Sequence, residues 1–344
     1  MAHDPRREDY QRMALRFALT LDDDPTGAVR AMASFGRRLA QDRDSLPQTD
    51  ADRAFHLVAL AADLVDYQLP FADDHQAEKL TARAEALLDE ALSLDPACHD
   101  AVRMRTIARD GSAERRYRAL ADGADAVRAS CEAERDRTCA GLGDERRALA
   151  ADVAMRPWAR WMAELAEDAL ICGRNRVAVA AAERLLEDDP RDASDVRFTL
   201  AYALAKLEDE AGLARLVSRY PSLCAPRAAD DAWILLAQVA LAHRRWDLPA
   251  ARDLLARLLR SYPGSGAALI RQVELPDGAF ARLRVPPYGS DELILAVSEG
   301  TVLLQEGRES SGRGALGAWV ARTVAELDPQ AARQAAEAGG EAGA

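Results

Sequence analysis

Apolar residues recur along most of this chain at the three- and four-residue spacing of an amphipathic helix. Near the N-terminus, Tyr10, Met13 and Phe17 follow this spacing, and it continues over 50–69 and 76–94. After residue 155 the same pattern predicts helices that alternate with turns of a few residues. Because short connections make consecutive helices antiparallel neighbours, the pattern predicts three helical hairpins. The predicted helices cover 157–172, 175–188, 194–207, 209–219, 230–244 and 248–261.

The stretch 111–155 departs from this pattern because it is highly charged, weakly periodic and punctuated by glycines. We predict a helix over 113–139 with an interruption, and a second helix over 144–155. A mobile insertion is the alternative interpretation of this stretch.

The three hairpins share a period close to the 34 residues of a tetratricopeptide repeat. Small or apolar residues recur at relative positions 8, 20 and 24 of each hairpin, and proline ends the first and third hairpins at position 32. Small residues at positions 8 and 20 allow the two helices of a hairpin to approach closely. The residues that carry this period are Ala166, Ala178, Ala182 and Pro190, then Leu200, Gly212 and Leu216, then Val239, Ala251, Leu255 and Pro263.

The expected fold is all-α: a superhelical array of antiparallel helix hairpins, or tetratricopeptide-like α-α superhelix. Abundant Ala, Leu, Arg and Glu, which favour helices, and only 5% aromatic residues agree with this expectation. We predict one continuous domain from about residue 5 to 327. Its expected parts are N-terminal helices with a first repeat-like hairpin (1–110), a charged insertion (111–155), three hairpins (156–263), a helical cap (264–327) and a disordered tail (328–344).

A closer resemblance covers residues 95–330. The segment RPWARW at 156–161 precedes the central hairpin, and DDPRDASDVRF at 188–198 joins it to the next. This arrangement resembles bacterial proteins related to suppressor of tumorigenicity seven, a tetratricopeptide family with an amide-rich joining segment. Here acidic and small residues replace most of those amides, so no role of the amides is carried over. The resemblance implies an interaction protein and no enzymatic activity.

The net charge of −12 and the pI near 5.1 argue against a nucleic-acid partner, which would require a basic surface. The five cysteines are widely spaced and form no CxxC pair, which is typical of free thiols in a reducing compartment. The N-terminus has no apolar signal segment, and the longest apolar run, 232–242, is about half a membrane span. We therefore expect a cytoplasmic protein without a membrane partner.

The segment LLEDDPRDASDVRF at 185–198 is the densest candidate for chemistry because it holds five acidic residues. It lacks the glycine and the final glutamate of a calcium-binding EF-hand loop. The structural interpretation accounts for the same residues: Pro190 ends one helix, and Asp192 or Ser194 caps the next. Asp195 then lies where the helix dipole favours an acid.

No metal or cofactor is expected. The four histidines considered, His56, His75, His99 and His243, form no ligand pair at helical spacing. The glycine-rich segment at 310–317 lacks the Lys-Ser/Thr of a phosphate-binding loop.

Trp158 and Trp161 lie three residues apart, on one helical face, with Arg156 and Arg160 beside them. We expect them to pack in the core with an arginine over an indole ring. The alternative is an exposed patch that anchors a peptide, since Trp and Arg dominate interface energetics.

The resemblance to tetratricopeptide arrays also implies a peptide-binding groove along the first helix of each repeat. In such a groove, arginines would hold a partner carboxylate through paired hydrogen bonds, unless they are solvated or paired within the chain. The positions assigned to the groove are Arg160, Glu167, Arg197, Ala201, Trp233, Leu236, His243 and Arg244.

The expected function is a non-catalytic scaffold that binds protein or peptide segments, with the partner's identity and the oligomeric state left open. An intracellular sensor of a peptide or small ligand is the first alternative. An enzyme with a site in 97–155 is the second.

Overall fold

The computed structural model describes residues 4–20, 25–109, 111–140, 142–223, 230–275, 285–308 and 312–341. Within these ranges the regular structure is entirely helical. The chain divides into two compact units, Met1–Glu164 and Leu165–Ala344.

The first unit is built from seven described α-helices, and the last of them continues past Glu164. Helix α3 packs against α4 around Ala54, Val58 and Leu88, while Met13 and Phe35 join α1 to α2. Short 3₁₀ and π turns follow α2 and α3. The helices are α1 (Pro5–Ala18), α2 (Pro25–Gln41), α3 (Asp50–Asp63), α4 (Asp74–Leu94), α5 (His99–Arg109), α6 (Ala113–Cys139) and α7 (Asp144–Ile171).

Two predicted helix breaks are absent from this unit as described, and both predictions were wrong. Helix α6 runs through Gly123 because this glycine lets Trp161 approach: a Cβ at position 123 would lie 2.7 Å from Trp161 Cζ2. Helix α7 likewise runs through Pro157, where separate helices over 144–155 and 157–172 were expected. Burial of Trp158 and Trp161 just beyond the proline anchors the helix on that side.

The second unit contains the end of α7 and all of the helices that follow it. Helix α8 packs on α9, α9 on α10 and α11, and α11 on α12 and α14. The predicted helices from 175 to 261 are confirmed to within two residues at each end. The helices are α8 (Asn175–Asp188), α9 (Val196–Lys206), α10 (Glu210–Arg219), α11 (Ala232–Arg244), α12 (Leu248–Ser261), α13 (Gly266–Arg271), α14 (Ser290–Glu299), α15 (Thr301–Leu304), α16 (Ala315–Leu327) and α17 (Pro329–Glu341).

The small residues of the repeat pattern lie in the core of these hairpins. Ala178 and Ala251 are fully buried, and Gly212 is also buried in α10. A Cβ at Gly212 would lie 2.5 Å from Asp209 Oδ2 and 2.6 Å from Leu204 Cδ2, so a larger residue here would force these side chains of the α9–α10 contact to move.

The C-terminal segment corrects the prediction of a disordered tail over 328–344. Helix α17 packs against α13 and α16, with Ala331 buried. A Cβ at Gly266 would lie 2.9 Å from Ala331 Cβ. Small residues thus allow close packing of a segment that composition alone marked as disordered; residues 342–344 lie outside the described ranges.

Candidate interaction surface

The acidic segment at 185–198 forms a corner between α8 and α9. Asp192 adopts a left-handed backbone with φ of 50°, and its Oδ1 accepts a 2.8 Å hydrogen bond from the Val196 amide. Asp192 is therefore the residue that caps α9, which confirms one of the two predicted caps. Ser194 is not the cap, because its buried Oγ has no hydrogen-bond partner among the described residues.

Arg197 is held inside the second unit, with 1% of its side chain exposed. Its Nη1 donates to Asp192 at 2.6 Å and contacts Asp195 at 2.9 Å, while its Nε donates to the Tyr220 hydroxyl at 3.3 Å. Burial disfavours the charged form, yet Asp195 and Asp192 raise the pKa of Arg197 above its ordinary value. The carboxylates that were expected from a peptide partner are supplied by the chain itself.

The buried polar network continues through two tyrosines. The Tyr220 hydroxyl donates to Asp231, the residue that caps α11. The Tyr262 hydroxyl accepts a 2.9 Å bond from the Ala232 amide and donates at 2.7 Å to Glu292 on α14. Burial and the hydrogen bond to Glu292 raise the pKa of Tyr262, so it stays a protonated donor. These contacts tie the helix ends together.

Three other residues assigned to the groove are buried in the same unit: Ala201, Trp233 and Leu236. The indole of Trp233 stacks on Phe198, with ring centroids 3.8 Å apart, and its Nε1 donates at 2.6 Å to Glu299 at the end of α14. The face of α9 and α11 that the pattern assigned to a partner therefore contacts the chain's own C-terminal helices.

The remaining groove positions differ in exposure. Arg244 forms ion pairs with Glu306 and, at 3.8 Å, with Glu208. The ring of His243 lies 5.2 Å from that of Trp319, and partial burial lowers the pKa of His243. Glu167 is exposed on α7.

In the first unit, Arg160 bridges two buried carboxylates. It donates to Asp100 at 2.6 Å and to Glu8 at 2.8 Å. Burial alone would raise the pKa of Glu8, but Arg160 and Arg12 lower it well below its ordinary value. Asp100 lies in the 97–155 stretch considered for an enzyme site, and its carboxylate, like that of Glu8, is neutralised by guanidinium groups.

The two tryptophans of α7 pack in the core, as predicted. Trp161 Nε1 donates to the Leu120 carbonyl at 2.8 Å, and both rings are buried. The guanidinium over the Trp158 ring comes from Arg128 on α6, at 5.6 Å, and not from a neighbour on the same helix.

The turns that close the hairpins of the second unit share one backbone geometry. Gly173, Glu208 and Trp246 each adopt the left-handed conformation, with φ of 71°, 56° and 61°. Each donates its amide to the carbonyl three residues back, and the next residue donates to the carbonyl five residues back. This double hydrogen bond is the Schellman motif, which normally favours glycine at the left-handed position.

One edge of this unit carries exposed apolar side chains at these turns. Trp246 is 82% exposed, Ile171 51% and Leu207 36%. A cleft of about 310 Å³ separates the first turn from Leu207 and is lined by residues 173–177. The hairpin-turn surface is defined here as Ile171, Gly173, Arg174, Arg176, Leu207 and Trp246.

Cys98 and Cys131 are buried, Cys139 and Cys172 are partly exposed, and Cys224 lies outside the described residues. Within the described ranges, no three His, Cys, Asp or Glu side chains are grouped to hold a metal ion. None of the helices in those ranges combines the length and apolar character needed to cross a bilayer.

No family model, curated protein or solved structure gives a match to this chain. The resemblance to the family related to suppressor of tumorigenicity seven therefore stays a prediction.

Proposed function

We propose that this protein is a non-catalytic scaffold that binds segments of other proteins, built as a tetratricopeptide-like array of helix hairpins. The observation that carries the proposal is the turn geometry repeated at Gly173, Glu208 and Trp246. Repetition of one hairpin design is the signature of helical repeat proteins, which present extended surfaces to their partners.

The pairing of two buried groups, Glu8 and Arg197, supports a scaffold over an enzyme. A general acid or base needs access to substrate and a pKa near the working pH. Glu8 is buried against Arg160, and that pairing lowers the pKa of Glu8 far from neutrality. Arg197 is paired with Asp192 and Asp195. Burial raises the pKa of Asp192 to about 6, but its carboxylate is enclosed in the core, out of reach of a substrate. These pairs hold helices together.

Binding is assigned to the exposed turns and not to the predicted groove face of α9 and α11. Trp233 of that face already donates to Glu299, and Lys206 Nζ donates at 2.9 Å to the Val302 carbonyl. A peptide entering there would have to displace helices whose side chains, including Leu293 and Val297, are buried in the core.

A sensor of a small ligand is the second candidate. The cleft between residues 173–177 and Leu207 favours it, because a volume of about 310 Å³ is at the lower end for ligand pockets. A thermal-shift screen with metabolites would separate the two candidates, since a sensor's ligand raises the melting temperature by mass action.

Affinity capture tests the scaffold proposal. The immobilised full chain is incubated with lysate of its native cell, and bound proteins are identified by mass spectrometry. Excess free chain is the control, because it competes away specific partners only. We expect at least one competed protein that binds the chain, once purified, with a Kd of about 10 μM or tighter. The scaffold proposal would be contradicted, and the sensor favoured, if the capture yields no protein that free chain competes away and the thermal-shift screen finds a metabolite that raises the melting temperature.

A further inference from the structure

We propose that the hairpin-turn surface docks a short peptide segment in which apolar side chains adjoin a carboxylate. This inference rests on the proposed scaffold function and names the surface and the partner chemistry. The apolar residues would pack on Trp246 and Leu207, and the carboxylate would lie at the first turn, beside Arg174 and Arg176.

The apolar part of this surface is concentrated at the three hairpin turns, although Ile171, Leu207 and Trp246 stand at different positions within their turns. In the described part of this unit, Val273 is the only exposed large hydrophobic residue besides Ile171, Leu207 and Trp246. Isolated exposed apolar residues are ordinary, whereas a cluster on one edge is typical of an interaction site. Tryptophan is moreover the residue that contributes most often to binding hot spots.

The backbone at Trp246 strengthens this argument. Its φ of 61° falls in the left-handed region, where a side chain costs stability and the first turn uses Gly173. Trp246 is thus unfavourable for its local backbone and also places an apolar ring in water. Because the ring stabilises neither the backbone nor the core, we infer that it contacts a binding partner.

The three turns form a continuous surface. Gly173 and Val177 at the first turn line the same cleft as Leu207 at the second. The second and third turns are joined by an ion pair between Glu210 and Arg245, which precedes Trp246. One short peptide can therefore contact all three turns.

The charge of the surface selects the polar part of the partner. At the second and third turns, Asp209 and Asp247 cap the following helices by accepting from Gly212 and Ala250. Arg174 takes the matching place at the first turn, and no side chain caps α8 there.

The exposed Arg176 adds a second positive charge at the first turn, where the N-terminal end of α8 also favours an anion. A carboxylate complements this end. Two copies of this chain, each with a net charge of −12, would repel each other more strongly than the chain repels a short peptide. A short peptide is therefore the favoured occupant of this surface.

The test begins with a displayed library of random dodecapeptides selected on the full chain. Selected peptides are synthesised with fluorescein, and their Kd values are measured by fluorescence anisotropy. We expect enrichment of sequences that place Asp or Glu beside apolar residues. We also expect Trp246→Gly to weaken binding at least about tenfold. Because glycine suits the left-handed backbone, this variant keeps or raises the melting temperature.

Charge reversal tests the carboxylate separately. Arg176→Glu should weaken binding of the acidic peptide several-fold. A peptide with lysine in place of its acidic residue should bind the Arg176→Glu variant about as tightly as the acidic peptide binds the wild type. The matched controls lie outside the surface: Phe71→Ala removes an exposed aromatic side chain from the first unit, and Arg333→Glu reverses an exposed charge on α17. Both controls should bind as the wild type does.

If the Trp246→Gly or the Arg176→Glu variant binds the selected peptides with the Kd of the wild type, the proposal of docking at this surface is wrong. That result does not bear on the scaffold proposal. The wild-type chain is also tested for self-association and for binding to neutral phosphatidylcholine vesicles. If either occurs and Trp246→Gly abolishes it, the occupant of this surface is a second copy or a lipid surface and the peptide proposal is overturned. Selection of no peptide would also overturn the docking proposal, and the capture experiment decides separately whether the scaffold proposal falls.

Discussion

The guanidinium of Arg197 donates a 2.6 Å hydrogen bond to the Asp192 carboxylate, and both side chains are buried. The same carboxylate accepts from the Val196 amide. One acid therefore caps α9 and neutralises an arginine of its first turn. Removal of Arg197 would leave the Asp192 carboxylate without a compensating charge in the core, whereas removal of Asp192 would leave Arg197 paired with Asp195 alone.

Arg197→Ala should lower the free energy of unfolding by about 3–5 kcal/mol, because Asp192 would remain buried and unpaired. The double variant Arg197→Met/Asp192→Asn should lose less, since asparagine tolerates the left-handed backbone and the remaining carboxylate, Asp195, is partly exposed to solvent. Urea unfolding measures both. A double variant as unstable as the sum of the single changes would contradict this account.

The ion pairs of Glu8 predict an acid-sensitive first unit. Arg160 and Arg12 outweigh burial and lower the pKa of Glu8 below its ordinary 4.5. The stability from this shift is therefore fully present above about pH 4.5 and is lost as the pH falls toward the folded-state pKa. Urea midpoints should fall more steeply between pH 5 and 3 in the wild type than in Glu8→Gln. Equal pH slopes would show that Glu8 does not control the acid response.

The shared turn geometry predicts opposite effects at two equivalent positions. Glu208 has φ of 56°, so Glu208→Gly should raise the free energy of unfolding by about 1 kcal/mol. Its exposed pair with Arg244 at 3.8 Å contributes little to offset this gain. Gly173→Ala should lower stability by a similar amount, because alanine is strained at φ of 71°. Thermal unfolding reports both, and two shifts of the same sign would refute the equivalence.

Two helical glycines of the first unit should also respond in opposite directions. Gly36→Ala should stabilise α2 by up to about 1 kcal/mol, since the nearest atom to its Cβ is the Tyr10 hydroxyl at 3.7 Å. Gly123→Ala should destabilise the chain despite the better helix propensity, because its Cβ would lie 2.7 Å from Trp161. Chemical denaturation compares them. Stabilisation by Gly123→Ala would mean that the Trp161 ring moves aside without cost.

Apolar spacing alone predicted the helices of the hairpins, including α8 and α12 at their observed bounds. It also placed Ala178 and Ala251 in the core. These predictions succeeded because helical periodicity is a local property of the chain. The predicted interruption within 113–139 and the predicted break between 155 and 157, where Gly123 and Pro157 lie, failed for the opposite reason. Both residues disfavour a helix locally, and packing around Trp161 decides their conformation.

In the candidate site, too, the sequence predicted local properties of residues but not their distant contacts. The sequence correctly marked Arg160, Arg197 and Arg244 as basic residues on the first helices, but it did not reveal their partners. Those partners lie as far away as Glu8 and Glu306. The exposed Trp246 at a hairpin turn was missed, although a tryptophan beside the capping residue Asp247 was the available signal.

The sequence by itself determined the helical class, the hairpins and the small residues at their contacts, because spacing, capping and helix propensity act within a few neighbouring residues. Only the tertiary structure decided which charges are neutralised within the chain and which apolar side chains remain in solvent. Ion pairing and burial depend on residues that are distant in sequence. The same composition therefore allows an open basic groove or, as in this protein, internally paired arginines and an exposed apolar edge at the turns.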